Sequence, residues 1–156
     1  VPARDHAASL GVLLRDLPHR AIRSVVVVDR ASTDRTAEIA RDAGALVLRE
    51  PAGGYGAACL RAQAHFSALP RVPDAVVFVP GDRPAAAPAV LALVAPLAER
   101  ASELVVGIES GRPRLGDAGA ATIGPSALAA GHSHAHRPAV PVHRDESGAP
   151  RPARGR

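Results

Sequence analysis

Asp5, Asp29 and Asp82 are the residues whose type and spacing could do chemistry, because each stands just beyond a short apolar run. Acids delivered by the carboxyl ends of neighbouring strands converge on the crevice where open α/β sheets take their ligands. A carboxylate there accepts hydrogen bonds from a ribose hydroxyl or a base N–H. It can also offer hard oxygen to a divalent cation that in turn holds phosphates. The plainer alternative for each is a solvated loop acid. Gly53-Gly54-Tyr55-Gly56 adds a stretch where a ligand can approach the backbone. It has neither a Walker lysine nor the full dinucleotide fingerprint, so alone it is a weak phosphate-loop signal. Tyr55, the single tyrosine, either stacks on a base or sugar or packs its own loop.

The elements that must position these residues follow from hydrophobic spacing. Residues 25–28 are four consecutive valines, as expected of a strand buried on both faces, and Asp29 is the first side chain that this strand delivers to a crevice. Ser32 or Thr33 is expected to cap the next helix, with Asp34 in its positive first turn. Leu10, Leu13, Leu14 and Leu17 predict a helix over residues 7–17, closed by Pro18. The spacing then predicts a strand over 22–28, a helix over 34–43 ended by Gly44, and a strand over 45–49. A helix over 57–69, a strand over 75–79, a helix from Pro88 to about 98 and a strand over 104–108 complete the pattern. Leu91, Val94 and Leu97 should face inward on that last helix. Repeated strand–helix alternation argues for an α/β fold, a mainly parallel sheet flanked by helices.

Composition narrows the function classes. The chain has 156 residues and 47 % hydrophobic content, enough for one domain with a real core. Aromatic residues make up only 2 %, so Ala, Val and Leu must do the packing. All 19 basic residues are Arg, and the net charge is +4, but residues 125–156 hold five Arg against two acids. The remainder is nearly neutral. Neither a basic stripe on folded elements nor interleaved aromatics points to nucleic acid. The single Cys59 excludes an internal disulfide, fits a reducing, cytoplasmic setting and reads as a small buried helix residue. No stretch has the apolar length of a membrane span. Past Gly111 the pattern dissolves, and residues 118–156 are expected to form a low-complexity, largely disordered tail. His132, His134, His136 and His143 there could bind zinc, but a tail without a packed scaffold favours the plainer reading.

The same residues carry a resemblance. Val1-Pro2-Ala3-Arg4-Asp5, the segment from Val27-Val28-Asp29 to Thr36, Gly53-Gly54-Tyr55-Gly56-Ala57-Ala58, Pro80-Gly81-Asp82 and Leu104-Val105-Val106-Gly107 follow in the order and spacing of family 2 glycosyltransferases. The chain most resembles the dolichyl-phosphate mannose synthase and polyprenyl-phosphate glycosyltransferase branch, over about residues 1–117 including Leu115-Gly116-Asp117. The resemblance implies a GT-A fold whose nucleotide-binding half is residues 1–117. It implies transfer, with inversion, from a UDP- or GDP-linked sugar to an acceptor such as a polyprenyl phosphate at the membrane surface. Pro2, Ala3 and Asp5 would line the nucleotide cleft, Asp29 would contact base or ribose, and Gly54, Tyr55 and Gly56 would approach the nucleotide. Asp82 would be the last acid of a motif binding Mg²⁺ or Mn²⁺, whose charge would offset that of the departing diphosphate.

Four residues, in three places, depart from the family pattern. Asp5-His6 replaces Asn-Glu, Arg30 replaces a second acid, and Pro80 replaces the first acid of the metal motif. Arg83 puts a cation next to the acid that survives. Arg30 could pair with a carboxylate or a diphosphate, or simply be solvated. A second reading therefore stays open: a degenerate, non-catalytic nucleotide-binding domain that has lost its metal motif. An NAD-binding Rossmann domain fits less well, because the first strand–helix loop lacks its glycines. The start at Val1 and the absence of an acceptor half lead us to expect a fragment lacking part of its first strand.

Overall fold

Val26, Val27 and Val28 are 5 %, 0 % and 0 % exposed, so the strand they open is covered on both faces. That is the burial an uninterrupted β-branched run requires. The computed structural model describes residues 1–99, 104–106 and 121–123. In it β1 (Pro2–Ala3), β2 (Val26–Asp29) and β3 (Leu46–Arg49) form a parallel sheet in the order β1-β2-β3. The register sets Ala3 opposite Asp29, and Asp29 opposite Arg49. Asp29 therefore stands at the carboxyl edge of the central strand.

The two faces of β2 open onto two separate apolar layers. Val27 packs with Leu10, Leu13 and Leu14 of α1 (Ala7–Asp16) and Ala40 of α2 (Thr36–Asp42). Val26 and Val28 pack with Ala58, Ala62 and Phe66 of α3 (Tyr55–Ser67), and with Phe78 of β4 (Val76–Phe78). Each fully buried Leu or Val contributes about 1.5–3 kcal/mol. Both phenylalanines of the chain fall in this second layer, where helix α3 otherwise presents only alanines.

A second trio of strands is antiparallel: β6 (Ala121–Ile123) lies between β4 and β5 (Leu104–Val106). Residues 121–123 fall within the stretch expected to be largely disordered, and there they form this short strand. Thr122 and Ile123 are β-branched, but three residues give too short a period to stand out from a Gly- and Pro-rich background. The rest of that tail, with Asp117 and the four histidines, lies outside the described residues.

Element boundaries differ from the expected ones in two informative places. A 3-10 turn (Pro84–Ala89) precedes α4 (Val90–Ala98), so Pro88 sits in that turn and not at the start of the helix. The helix phase shifts accordingly. Val90 and Leu93 are buried, whereas Leu91 is 52 % exposed. The helix α2 begins at Thr36, and neither Ser32 nor Thr33 caps it.

One glycine ties the end of β4 to β1. Gly81 N–H donates to Pro2 O at 3.0 Å, and Ser9 Oγ–H donates to Gly81 O at 2.9 Å. A Cβ at Gly81 would lie 2.8 Å from His6 Nδ1, 3.0 Å from Ala3 Cβ and 3.3 Å from Pro2 O. Only glycine permits this approach. Gly81→Ala should therefore destabilise the fold by about 1–3 kcal/mol in urea denaturation, as overpacking does. Gly56→Ala, in the first turn of α3 with nothing within 4 Å of the added carbon, should be neutral or stabilising by up to about 1 kcal/mol. Equal stability of the two variants would contradict the packing of Asp82's loop against β1.

Candidate functional site

Two loops leave the carboxyl edge of the parallel sheet side by side, and their side chains lock each to the other. Asp5 Oδ1, between β1 and α1, accepts from Thr33 N–H at 2.7 Å and from Thr33 Oγ1–H at 3.1 Å. Asp5 N–H in return donates to Ser32 Oγ at 3.0 Å. Next along, Asp34 Oδ2 accepts from Ala7 N–H at 3.0 Å, and His6 N–H donates to Thr36 Oγ1 at 2.8 Å. The N-terminal amides of α1 are thus satisfied from the other loop. Asp34 Oδ1 also takes Thr36 N–H at 2.9 Å and the Thr36 hydroxyl, so it serves α2 as the cap expected from Ser32 or Thr33. The two hydroxyl residues are drawn across to Asp5 instead.

This lock bends the backbone. Asp5 and Ala31 adopt φ values of 53° and 56°, in the left-handed region that costs a non-glycine residue about 1–2 kcal/mol. Ala31 is held there between Asp29 and Ser32, whose N–H donates to Asp29 Oδ1 at 3.0 Å. Strain of this kind persists where surrounding contacts over-determine it, as they do at ligand sites.

Asp29 is 6 % exposed, with Oδ1 committed to Ser32 and Oδ2 without a partner among the described residues. Its backbone carbonyl accepts from Glu50 N–H at 2.9 Å, which carries the chain onward into the Gly53–Gly54 turn. Gly53 has φ +89° and its missing Cβ would lie 2.6 Å from Ala57 Cβ, so this turn requires glycine. Gly54, Tyr55 and Gly56 then open α3, a 13-residue helix with no side-chain cap at Gly54, so that among the described residues its first amides, at the positive helix end, have no side-chain partner.

The electrostatics tie these parts together. The Thr33 amide holds the Asp5 carboxyl below the usual carboxylate range, and the Thr36 hydroxyl does the same for Asp34. Burial raises the Tyr55 hydroxyl, and the neighbouring Cys59 and the charge of Asp82 raise it further. Tyr55 and Asp82 are therefore within electrostatic reach of one another. Cys59, half-buried on α3, is also pushed up, chiefly by burial, so its thiol is held protonated and unreactive.

The structure brings Asp5 and Asp29 together through Ser32 and Thr33, and α3 packs against both β1 and β2. Pro2 and Ala3 are buried in β1, where their carbonyls hold Gly81 and Arg30 N–H. They frame the site through the backbone. Asp82 is exposed and forms no hydrogen bond among the described residues. Sequence reasoning missed the structural use of Thr36, Ser9 and Gly81, although the spacing Asp34-Arg35-Thr36 is a capping signal that could have revealed the first. An apolar cavity of about 340 Å³ lies elsewhere, lined by Ile22, Val26, Phe66, Val76 and Val94 among others, and none of the three acids reaches it. Among the described residues no helix is long and apolar enough to cross a membrane.

No protein-family model matches the chain, and no curated protein matches it. Solved structures do. Glucosyl-3-phosphoglycerate synthase from Mycobacterium tuberculosis in complex with uridine diphosphate is similar over 71 % of this chain and 43 % of its own, at 26 % identity and a TM-score of 0.60. The same enzyme with Mn²⁺ and UDP-glucose is similar over 66 % of this chain and 39 % of its own, at 26 % identity and a TM-score of 0.54. Its complex with phosphoglyceric acid covers 79 % of this chain and 54 % of its own at 24 % identity and a TM-score of 0.61, and bears on the fold alone. The chain thus spans between 39 % and 54 % of the length of these neighbours. In architecture it is an α/β protein matching GT-A glycosyltransferases.

The depressed carboxyls set an acid limb. A group whose folded pKa lies below its unfolded value stabilises the fold above the unfolded value, about 3.9 for Asp, and loses that contribution as pH falls through the folded one. Thermal melts should therefore show stability falling below about pH 4, with the slope reduced in an Asp5→Asn, Asp34→Asn double variant. An unchanged slope would mean that neither lock forms in solution.

Proposed function

We propose that the cleft beyond β1, β2 and β4 binds the nucleoside diphosphate of a UDP- or GDP-linked sugar, and that the chain is the donor-binding part of a glycosyltransferase. The observation that carries this reading is the interlocked pair of loops, which leaves Asp29 Oδ2 and the first amides of α3 facing one edge of the sheet. Asp29 would accept from the ribose or the base. The α3 amides, at the positive helix end, would receive the diphosphate. Tyr55 would lie against the sugar or base, and Asp82 would accept from a sugar hydroxyl.

Transfer with inversion follows from attack on the face of the anomeric carbon opposite the diphosphate. A new carbon–oxygen bond forms as the bond to the diphosphate oxygen breaks, and its electron pair departs with the nucleoside diphosphate. A polyprenyl phosphate, at the cytoplasmic face of a membrane, suits this site as acceptor. With a second pKa of about 6 it is already ionised at pH 7 and needs no strong base. The structural neighbours support donor chemistry through their complexes with uridine diphosphate and UDP-glucose.

A Mg²⁺ or Mn²⁺ ion, present as Mn²⁺ in one neighbour, fits the residues here less well. Among the described residues there is no group of three or more His, Cys, Asp or Glu that could hold a metal. Asp5 and Asp34 are committed to the loop lock, and buried Pro80 stands where a second acid of the motif would be. This observation favours the second reading, a nucleotide-binding domain without catalysis, if transfer depends on a metal.

Calorimetric titration of the full chain with UDP-glucose and with GDP-mannose tests the central proposal. One of them should bind saturably, and Asp29→Ala should weaken it about tenfold or more, the worth of one hydrogen bond to a charged group. Absence of binding to both would sink it.

A further inference from the structure

Two buried side-chain nitrogens lack any hydrogen-bond partner among the described residues, Nε of Arg30 and Nδ1 of His6, and both belong to the loops that frame the cleft. A buried N–H left unpaired costs about 1–3 kcal/mol, so an orphan of this kind implies a partner from outside the described residues. Arg30 is fixed in place by its own backbone, whose N–H donates to Ala3 O at 2.9 Å. It directly follows Asp29, at the carboxyl edge of β2, and its guanidinium enters no ion pair among the described residues.

Three carboxylates of these loops have oxygens engaged with other groups, and Oδ2 of Asp29 has no partner among the described residues. Asp5 Oδ1 is held by Thr33, Asp29 Oδ1 by Ser32, and Asp34 by Ala7 and Thr36. His6 Nδ1 is buried beside Gly81, 2.8 Å from where a Cβ there would lie. The edge therefore offers an anion the Arg30 guanidinium and α3 amides without a partner among the described residues, whereas Asp5 and Asp34 are tied into the loop lock and only Asp82 and Oδ2 of Asp29 are left for a metal. A guanidinium matches phosphate oxygens in geometry and stays charged at every accessible pH.

On the nucleotide reading above, we propose that Arg30 binds the diphosphate of the sugar nucleotide and supplies the positive charge that a divalent cation would otherwise provide, so that this chain binds its nucleotide without a metal. Arg30 then replaces one half of the lost metal motif from the opposite side of β1. It would also hold the leaving diphosphate as its charge grows during transfer.

The test is calorimetry on the full chain with UDP and GDP and with the corresponding nucleosides, uridine and guanosine, in EDTA and in Mn²⁺. The diphosphate that binds should do so in EDTA with a Kd within about threefold of that in Mn²⁺. Arg30→Gln should weaken the diphosphate about tenfold or more and leave the nucleoside unchanged, while Arg30→Lys, which keeps the charge, should lose less. Far-UV circular dichroism and the melting temperature of each variant separate a lost contact from a lost fold, and Arg30→Lys carries the test if Arg30→Gln does not fold. Binding of the diphosphate only with Mn²⁺ would overturn the inference, as would equal weakening of nucleoside and diphosphate by Arg30→Gln. Failure of every diphosphate and nucleoside to bind, under either condition, would overturn the nucleotide reading itself and this inference with it.

Discussion

The hydrogen bonds between Asp5 and Thr33, and between Asp34 and Ala7, hold the candidate site in shape. They join loops 28 and 27 residues apart in sequence at the point where β1 and β2 end. Two of the first amides of α1 and α2 find their partners there, and the backbone at Asp5 and Ala31 is held in a conformation that neither residue would choose alone. These carboxylates are exposed and screened by solvent, so the bonds add little to stability by themselves. Their value is geometric. By fixing the crossover, they set where Asp29, Arg30 and the first α3 amides stand relative to one another.

The core that supports this edge is built from small residues. Alanine and valine let α1 and α3 approach the two faces of β2 closely, and Gly81 lets the loop after β4 rest directly on β1. Close approach comes with little redundancy. A methyl group added at Gly81 would press on His6, Ala3 and the Pro2 carbonyl. The acids at this edge differ in their bonding: Asp5 and Asp34 hold the loops, whereas Oδ2 of Asp29 and the Asp82 carboxylate have no hydrogen bond among the described residues.

Much of the fold was legible in the sequence because the valine run and the leucine spacing leave little choice. Val25 to Val28 could only be a doubly covered strand, and Leu10, Leu13 and Leu14 could only be a buried helical stripe. The α/β alternation and the parallel trio followed. What the sequence concealed were the long-range hydrogen bonds. Ser32 and Thr33 look like helix caps locally, and only the proximity of Asp5 draws them away. The three-residue β6 has no period to detect, and Leu91 was assigned inward because a 3-10 turn shifts the helix by a phase that spacing does not encode. The position of the three acids beyond strand ends was readable, but the isolation of Arg30 was not. An arginine's partners depend on which carboxylates other groups have already claimed.

The most direct test of this account is an amide ¹H–¹⁵N shift map of the full chain titrated with the nucleoside diphosphate that binds. The account expects His6, Ala7, Arg30, Ser32, Thr33, Tyr55, Gly56 and Asp82 to move together with one affinity. Movement confined to residues 22–26 and 74–77, around the apolar cavity, with the two locked loops unperturbed, would contradict it.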